Sequence, residues 1–509
     1  MELADTKRGV VGSDNPVAGY FAVFLAAAAL YAATCAPGPV WQDSGVIQYR
    51  VWHNDIEGQL GLALSHPLFY LIAIAAKYVP FGEFAYRVNL VTAIISALAV
   101  ANLYLLLRLW LGRNFPAIVG ALTLALSHTF WRHATIPETY NLYISLLLVE
   151  LIVLLKYLQS RRTALLYALG FLNGLAIADH MLASIGFVCY AALIAVLWAT
   201  KRIRIGSILV IMLLWVIGAS PYEYLIVKKL IQSGDLSATI SSALFGDGYR
   251  QNVLNTSLSL RIVKENLCWI MLNFPTPNIL LFFVGLFALH RLAPARAFAN
   301  ILLALLVMFF VFAFRYTIVD RYAFFIPFYC IVSILIALGA HYVVLVRRHR
   351  SLAWVIVLST ILPVPSYVAA PQVAKKLGIT SGRRREIPYR NDYEYFLRPW
   401  RTGYKGAEKF AEDAFSVAER NAIIYADVTT APPLLYAQQV ESKRLDLSIT
   451  SRIGWSENCP KFDQHTFERL FAERAVYVVT PLPGYCPKFL LDNYNFVKAG
   501  VLYRVVERD

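Results

Sequence analysis

Apolar runs near the length that carries an α-helix across a bilayer, about 20 residues, recur from Val17 to Ala369 and constrain this chain more than any other feature. Eleven can be drawn: Val17–Cys35, Tyr86–Leu111, Pro116–Phe130, Thr139–Leu158, Ala164–Ala178, Met181–Ala199, Gly206–Val227, Asn278–His290, Ala297–Phe314, Tyr322–Val346 and Ala353–Ala369. Charged residues make up 16% of the 509, against about 25% in a soluble domain. The expected architecture is therefore a polytopic α-helical membrane protein of about eleven spans. The first run is long and lacks a convincing cleavage site, so it reads as a retained span.

Charge orients the segments. A net charge of +15 would suit a nucleic acid, yet the basic residues gather in short connections: Arg108 and Arg113; Lys156, Arg161 and Arg162; Lys201, Arg202 and Arg204; Arg291 and Arg296; Arg347, Arg348 and Arg350. Basic loops face the cytoplasm, so nucleic acid is not the expected partner. With Lys7 and Arg8 ahead of the first span, the N-terminus is expected inside. The run His66–Val79 is only about 14 residues, too short to cross, and Pro67 suits a helix start. It reads as a helix on the outer face; counting it as a span would invert the charge pattern. Lys228 and Lys229 stand against the pattern, at the head of a long outer connection where the rule weakens.

Beyond Pro371 the composition changes, with Gly382-Arg383-Arg384-Arg385 as a solvated stretch. The chain divides into a membrane part, 1–370, and a small external α/β domain, 371–509. In the latter, Asn421–Ala426 and Ala475–Val479 read as buried strands and Pro432–Val440 as a helix. No glycine-rich phosphate loop accompanies them. Cys459 and Cys486, the two cysteines of this part, are expected to pair on the oxidising side.

Polar residues collect at the outer edge. Asp43 follows the first span in Ala36-Pro37-Gly38-Pro39-Val40-Trp41-Gln42-Asp43-Ser44-Gly45. His53, Asp55, Glu57, His66, Arg87, Arg132, His133, Glu138, Asp179, His180, Arg315, Asp320 and Arg321 fall at the same edge. Ionisable groups near a bilayer mark chemistry or transport. A transporter places them near mid-membrane on broken helices, so clustering at one face favours an enzyme. Plain structural roles compete: a helix cap for Asp43 or Glu138, an interfacial anchor for Arg87, an ion pair with Asp320 for Arg321, and packing for His133 and His180.

The motifs Asp43-Ser44-Gly45, His66-Pro67, Ala85-Tyr86-Arg87-Val88-Asn89-Leu90, Phe130-Trp131, Ile136-Pro137-Glu138-Thr139-Tyr140 and Gly174-Leu175-Ala176 before His180 resemble the GT-C glycosyltransferases. The likeness is to the protein O-mannosyltransferase-like branch with an Asp-Ser-Gly-Glu first-loop motif, and it covers the first two hundred residues. Val46 stands where that branch carries Glu. The resemblance implies a GT-C-like fold with juxtamembrane helices in the first external loop. It also implies inverting transfer of a sugar from a polyprenyl-phosphate donor to an acceptor hydroxyl of a protein, glycolipid or polysaccharide.

The general base would be Asp43, an exposed aspartate with an ordinary pKa of about 3.9 and therefore ionised. Arg87 and Arg321 would hold the leaving phosphate, with His66, Glu138 and His180 lining the substrate site. No Asp-x-Asp occurs around Asp43, so no metal and no cofactor are expected. The expected location is a bacterial plasma membrane. A lipid or glycan transporter without transferase activity is the alternative.

Overall fold

A computed structural model describes residues 15–318, 320–379, 385–454 and 456–508. Lys7, Arg8 and residues 382–384 of the basic stretch lie outside them. The chain opens with α1 (Pro16–Thr34), whose first turn is capped by the Asn15 side chain and begins with proline. The first loop holds α2 (Gln42–His53) and α3 (Pro67–Ala73). Then follow α4 (Phe84–Leu111), α5 (Asn114–Ala125), α6 (His128–Ala134), α7 (Tyr140–Ser160), α8 (Ala164–Asp179), α9 (Ala183–Ala199) and α10 (Ile205–Ser233). A second long connection carries α11 (Leu236–Phe245), α12 (Arg250–Val253) and α13 (Leu260–Asn273). The membrane part closes with α14 (Leu280–Leu292), α15 (Arg296–Arg315), α16 (Ile326–His341), α17 (Leu352–Ile361) and α18 (Pro363–Lys376).

Every expected apolar run falls on helix, with Pro116–Phe130 divided between α5 and α6. Among the described residues, six helices are long and apolar enough to cross: α1, α4, α7, α10, α15 and the continuous Arg321–Val346 stretch containing α16. Two bent pairs, Leu260–Asn273 with Pro277–Leu292 at 108° and α17 with α18 at 44°, raise that to eight. Eleven is reached only if the shorter α5, α8 and α9 also cross. The His66–Val79 run forms α3 and a 3₁₀ turn, Ile74–Tyr78, which is not a spanning element.

Lipid supplies no hydrophobic force between helices, so close approach of small residues matters. At the α8–α10 crossing, a Cβ on Gly174 would collide with the Trp215 carbonyl, and one on Gly218 with that of Phe171. The Arg321–Val346 stretch is the centre of the bundle and is wholly buried over its most apolar window. By contrast α1 lies at the periphery, 11% buried over its window.

After α18 come α19 (Asp392–Leu397), α20 (Gly406–Val417), α21 (Ala431–Gln439), α22 (Gln464–Phe471) and α23 (Lys488–Asn493), set around one five-stranded sheet. Its strands are β1 (Ile423–Tyr425), β2 (Ser448–Thr450), β3 (Val476–Val478), β4 (Tyr494–Ala499) and β5 (Leu502–Glu507), ordered β2-β1-β3-β5-β4. The first three are parallel; β5 runs antiparallel to β3 and to β4. The expected Cys459–Cys486 disulfide is not formed. The two residues sit in different apolar clusters, Cys459 with Phe410 and Leu434, Cys486 with Phe467 and Leu490.

The α/β part packs onto the first loop. Trp41, Val46 and Tyr49 share an apolar cluster with Phe396, Phe410 and Leu434. Polar links tie the same faces: the Trp41 indole donates to the Tyr404 hydroxyl at 2.6 Å, and the Ala85 amide to the Tyr436 hydroxyl at 2.9 Å. The sheet domain and the loop bearing Asp43 therefore lie on one side of the bundle.

Candidate active site

A cavity of about 510 Å³ opens between the bundle and the α/β part. Asp43, Arg50, His66, Arg132, Glu138 and Asp320 line it, with Tyr49, Tyr70, Tyr140, Tyr249, Tyr316, Tyr322 and Tyr395 between them. Val428 and Ile453 add a wall from the sheet domain.

Asp43 occupies the first turn of α2, where the helix dipole favours negative charge. Gln42 before it holds a left-handed φ of 58°, a conformation that costs a non-glycine residue about 1–2 kcal/mol. Asp43 is exposed, but to the cavity rather than to open solvent. Crowding by surrounding protein raises its pKa to about 7, with the Asp320 carboxylate adding like-charge repulsion. Asp320 is raised for the same first reason, burial. The expectation of an ordinary, fully ionised aspartate at this position is corrected accordingly.

Glu138 accepts a hydrogen bond from the Ser44 hydroxyl at 2.7 Å. Its pKa rises to about 8, chiefly through burial, with Ser44 opposing and Asp43 reinforcing the shift. Val46, at the position of the branch's glutamate, instead packs into the cluster shared with the sheet domain. The carboxylates near Asp43 are Asp320 and Glu138, the latter two residues ahead of α7, and neither comes from the first-loop motif.

His66 also has a positive φ, 54°, just ahead of Pro67. Its Nδ1 lies 2.6 Å from the carbonyl oxygen of Asp179, the last residue of α8. A carbonyl can only accept, so Nδ1 carries the proton and Nε2 is left as acceptor. Burial pushes the His66 pKa down to about 4, with that carbonyl opposing and Arg50 assisting. His180 does not line the cavity. Its ring packs 4.8 Å from His66 and 4.9 Å from Tyr140, supporting both from behind.

The two expected phosphate ligands are placed elsewhere. Arg87 donates to the carbonyls of Lys77 and Val79, closing the turn after α3, and does not reach the cavity lining. Arg321, 8% exposed, pairs with Glu265 and donates to Asn266 Oδ1 at 3.0 Å, fastening the 320–325 segment to α13.

Two other cations face the cavity. Arg50 is engaged by Asp55 at 3.3 Å, the Tyr70 hydroxyl at 2.7 Å and the Ser65 carbonyl at 3.3 Å. Arg132 donates to the Tyr322 hydroxyl and stacks 4.7 Å from the Phe396 ring, while its Nε has no hydrogen-bond partner. Arg50 lies seven residues, two helical turns, beyond Asp43, a spacing that puts both on one face once α2 is recognised as a helix. Among the described residues, no group of three or more His, Cys, Asp or Glu is arranged to hold a metal ion.

A bundle of this kind, with short helices between its first spans and a carboxylate-lined cavity beneath an α/β cap, resembles the GT-C fold implied by the motifs. The likeness extends to solved structures. Over 96% of this chain and 98% of theirs, ArnT from Cupriavidus metallidurans bound to undecaprenyl phosphate superposes with a TM-score of 0.60, and its apo state with 0.57, each at 13% identity.

The resemblance to the O-mannosyltransferase-like branch is borne out as well. Residues 61–204 match the profile of the Protein O-mannosyl-transferase TMEM260 N-terminal domain. A mouse protein, Protein O-mannosyl-transferase TMEM260, is 26% identical over 221 residues, 42% of this chain. The matched region spans about a third of that relative, 31% of its length. The profile match begins after Asp43, so it covers His66, Arg87, Glu138 and His180 but neither Asp43 nor Arg321.

Proposed function

We propose that this chain is a glycosyltransferase that moves a sugar from a polyprenyl-phosphate carrier to an acceptor hydroxyl, with inversion, at the external membrane face. The observation that carries the reading is the cavity at the bundle's edge, where Asp43 stands among tyrosines with the Arg132 guanidinium in the same lining. Asp43 accepts the hydroxyl proton as the acceptor oxygen bonds to the anomeric carbon. The sugar–phosphate bond breaks, and its electron pair leaves with the lipid phosphate.

Arg132 is the better candidate to meet that phosphate, because its guanidinium is held by rings and a single hydroxyl rather than by a carboxylate. His66 and Glu138 border the substrate directly; His180, Arg87 and Arg321 act at a distance, through the elements they fasten. The structural relative's bound undecaprenyl phosphate and the mouse relative's name support a lipid-linked donor and a hydroxyl acceptor. The reading needs no metal and takes the membrane to be a bacterial plasma membrane, with the positive-inside pattern supporting an external site.

A transporter is the weaker reading. Glu150, buried within α7, is held by Tyr190 at 2.9 Å and Asn173 at 3.3 Å and does not border the cavity.

The test is transfer from a labelled polyprenyl-phosphate sugar in reconstituted membranes. Asp43→Asn should lower turnover by about 10²–10⁴-fold, the usual value of general-base help, with donor binding retained. Arg132→Lys should weaken donor binding, since a point charge does not replace the planar fork. Undiminished transfer by Asp43→Asn removes the catalytic assignment.

A further inference from the structure

The loop that follows β1 joins the sheet domain to the residue preceding Asp43. Asp427 lies two residues beyond β1 and is 8% exposed. Its carboxylate takes both ends of the Arg385 guanidinium, each at 2.6 Å. It also accepts the Thr429 amide at 2.9 Å and the Thr430 hydroxyl at 2.9 Å. Arg385 donates in addition to the Thr480 hydroxyl, just past β3, at 2.8 Å, and stacks 4.0 Å from the Tyr485 ring. This cluster fills the carboxyl ends of two adjacent parallel strands, the position where open α/β sheets ordinarily bind ligands.

The loop so fixed projects toward the cavity. Val428 forms part of the wall, and the Thr429 carbonyl accepts the Gln42 amide at 3.3 Å. Gln42 is the residue held at positive φ immediately before Asp43. Trp41 just before it and Gly45 three residues after it also meet the same domain. Trp41 bonds Tyr404, and Gly45 lies so near Pro432 that a Cβ there would stand 2.7 Å from the proline Cβ.

We infer that Arg385 and Asp427 are positioning residues for the transferase: their ion pair locks the 427–430 loop, which holds Gln42 in its left-handed conformation and so aims Asp43. This rests on the reading of Asp43 as the base. The sheet domain is then part of the catalytic apparatus, and the crevice at its strand ends is occupied by the chain's own arginine in place of a ligand.

The experiment uses the full chain in nanodiscs, with turnover and amide hydrogen exchange measured on the same samples. Asp427→Asn keeps the size of the side chain and removes the charge that holds the guanidinium. Turnover should fall about tenfold, within the penalty of a small misplacement of a reacting group, while KM for the lipid-linked donor changes by less than about twofold. Exchange at residues 41–44 should quicken while β1 and β3 stay protected.

Arg385→Lys retains the charge but loses the fork and should give an intermediate loss of both kinds. It decides the matter if Asp427→Asn also loosens the strands. Unchanged exchange at 41–44 in both variants overturns the inference, as does a loss of protection in Arg385→Lys that spreads evenly through the sheet. Asp43→Asn, run beside them, separates the two ideas. If it retains full transfer, the proposed chemistry fails, whereas the exchange measurement still reports on the clamp.

Discussion

A carboxylic acid used as a base has to be deprotonated before it can work. With its pKa raised to about 7, Asp43 is largely protonated and idle at pH 5 and available at pH 8. The predicted profile of kcat/KM therefore climbs with pH, passes half its maximum near 7 and levels off at about 8. Asp320→Asn removes the like charge and should move that rise to lower pH. A plateau already reached at pH 5 in the wild-type chain would contradict this geometry. Little of it was legible in the residues alone. Asp43, His66 and Glu138 were found from their motifs, but whether a side chain is buried depends on what folds over it, and the cover comes from Tyr395, Val428 and Ile453 hundreds of positions away. The arginines show the same limit. Arg87 and Arg321 sit at span ends and read as phosphate ligands, yet each is turned toward protein partners, whereas Arg50 and Arg132 face the cavity.

Among the elements, the long apolar helices were evident because a run of apolar side chains in lipid has few structural alternatives. The helix that carries the site was expected only through the resemblance, which implied juxtamembrane helices in this loop, and its bounds were not evident. Gln42–His53 mixes Asp, Ser, Gly, Gln and Arg with Val, Ile, Tyr and Trp because it is enclosed on several sides, so no single apolar stripe marks it. The β4–β5 hairpin is only partly enclosed: β4 has no fully buried residue, and β5 buries Leu502 and Val505. The enclosure of α2 gives a test. Gly45→Ala would drive a methyl into the Val40 carbonyl and Pro432. A substitution that overpacks a filled contact costs typically 1–3 kcal/mol, so both thermal stability and turnover should fall. Gly112→Ala makes a useful comparison. Its methyl meets nothing within 4 Å, although its φ of 68° still carries a backbone cost. A Gly45→Ala chain as stable and active as the parent would show that α21 does not bear on α2 as described.

For the whole molecule, the expectation of a polytopic bundle with a small α/β cap holds, and the sharing of one face by Asp43 and the cap agrees with the topology drawn from charge. Reporter fusions at Arg161, Arg204 and Arg350 should read cytoplasmic, and one at Asp509 external. A cytoplasmic signal at Asp509 would reverse the orientation of the cavity and the substrate pool it meets. The wholly buried stretch around α16 has a consequence of another kind, in biogenesis. It packs against α5, about 200 residues earlier, and at ordinary elongation rates of about 5–20 residues per second the ribosome takes roughly 10–40 s to travel between them. Throughout that interval the earlier helices keep a groove that lipid must occupy. The last long span does not join a finished bundle at its rim; it displaces lipid from the middle.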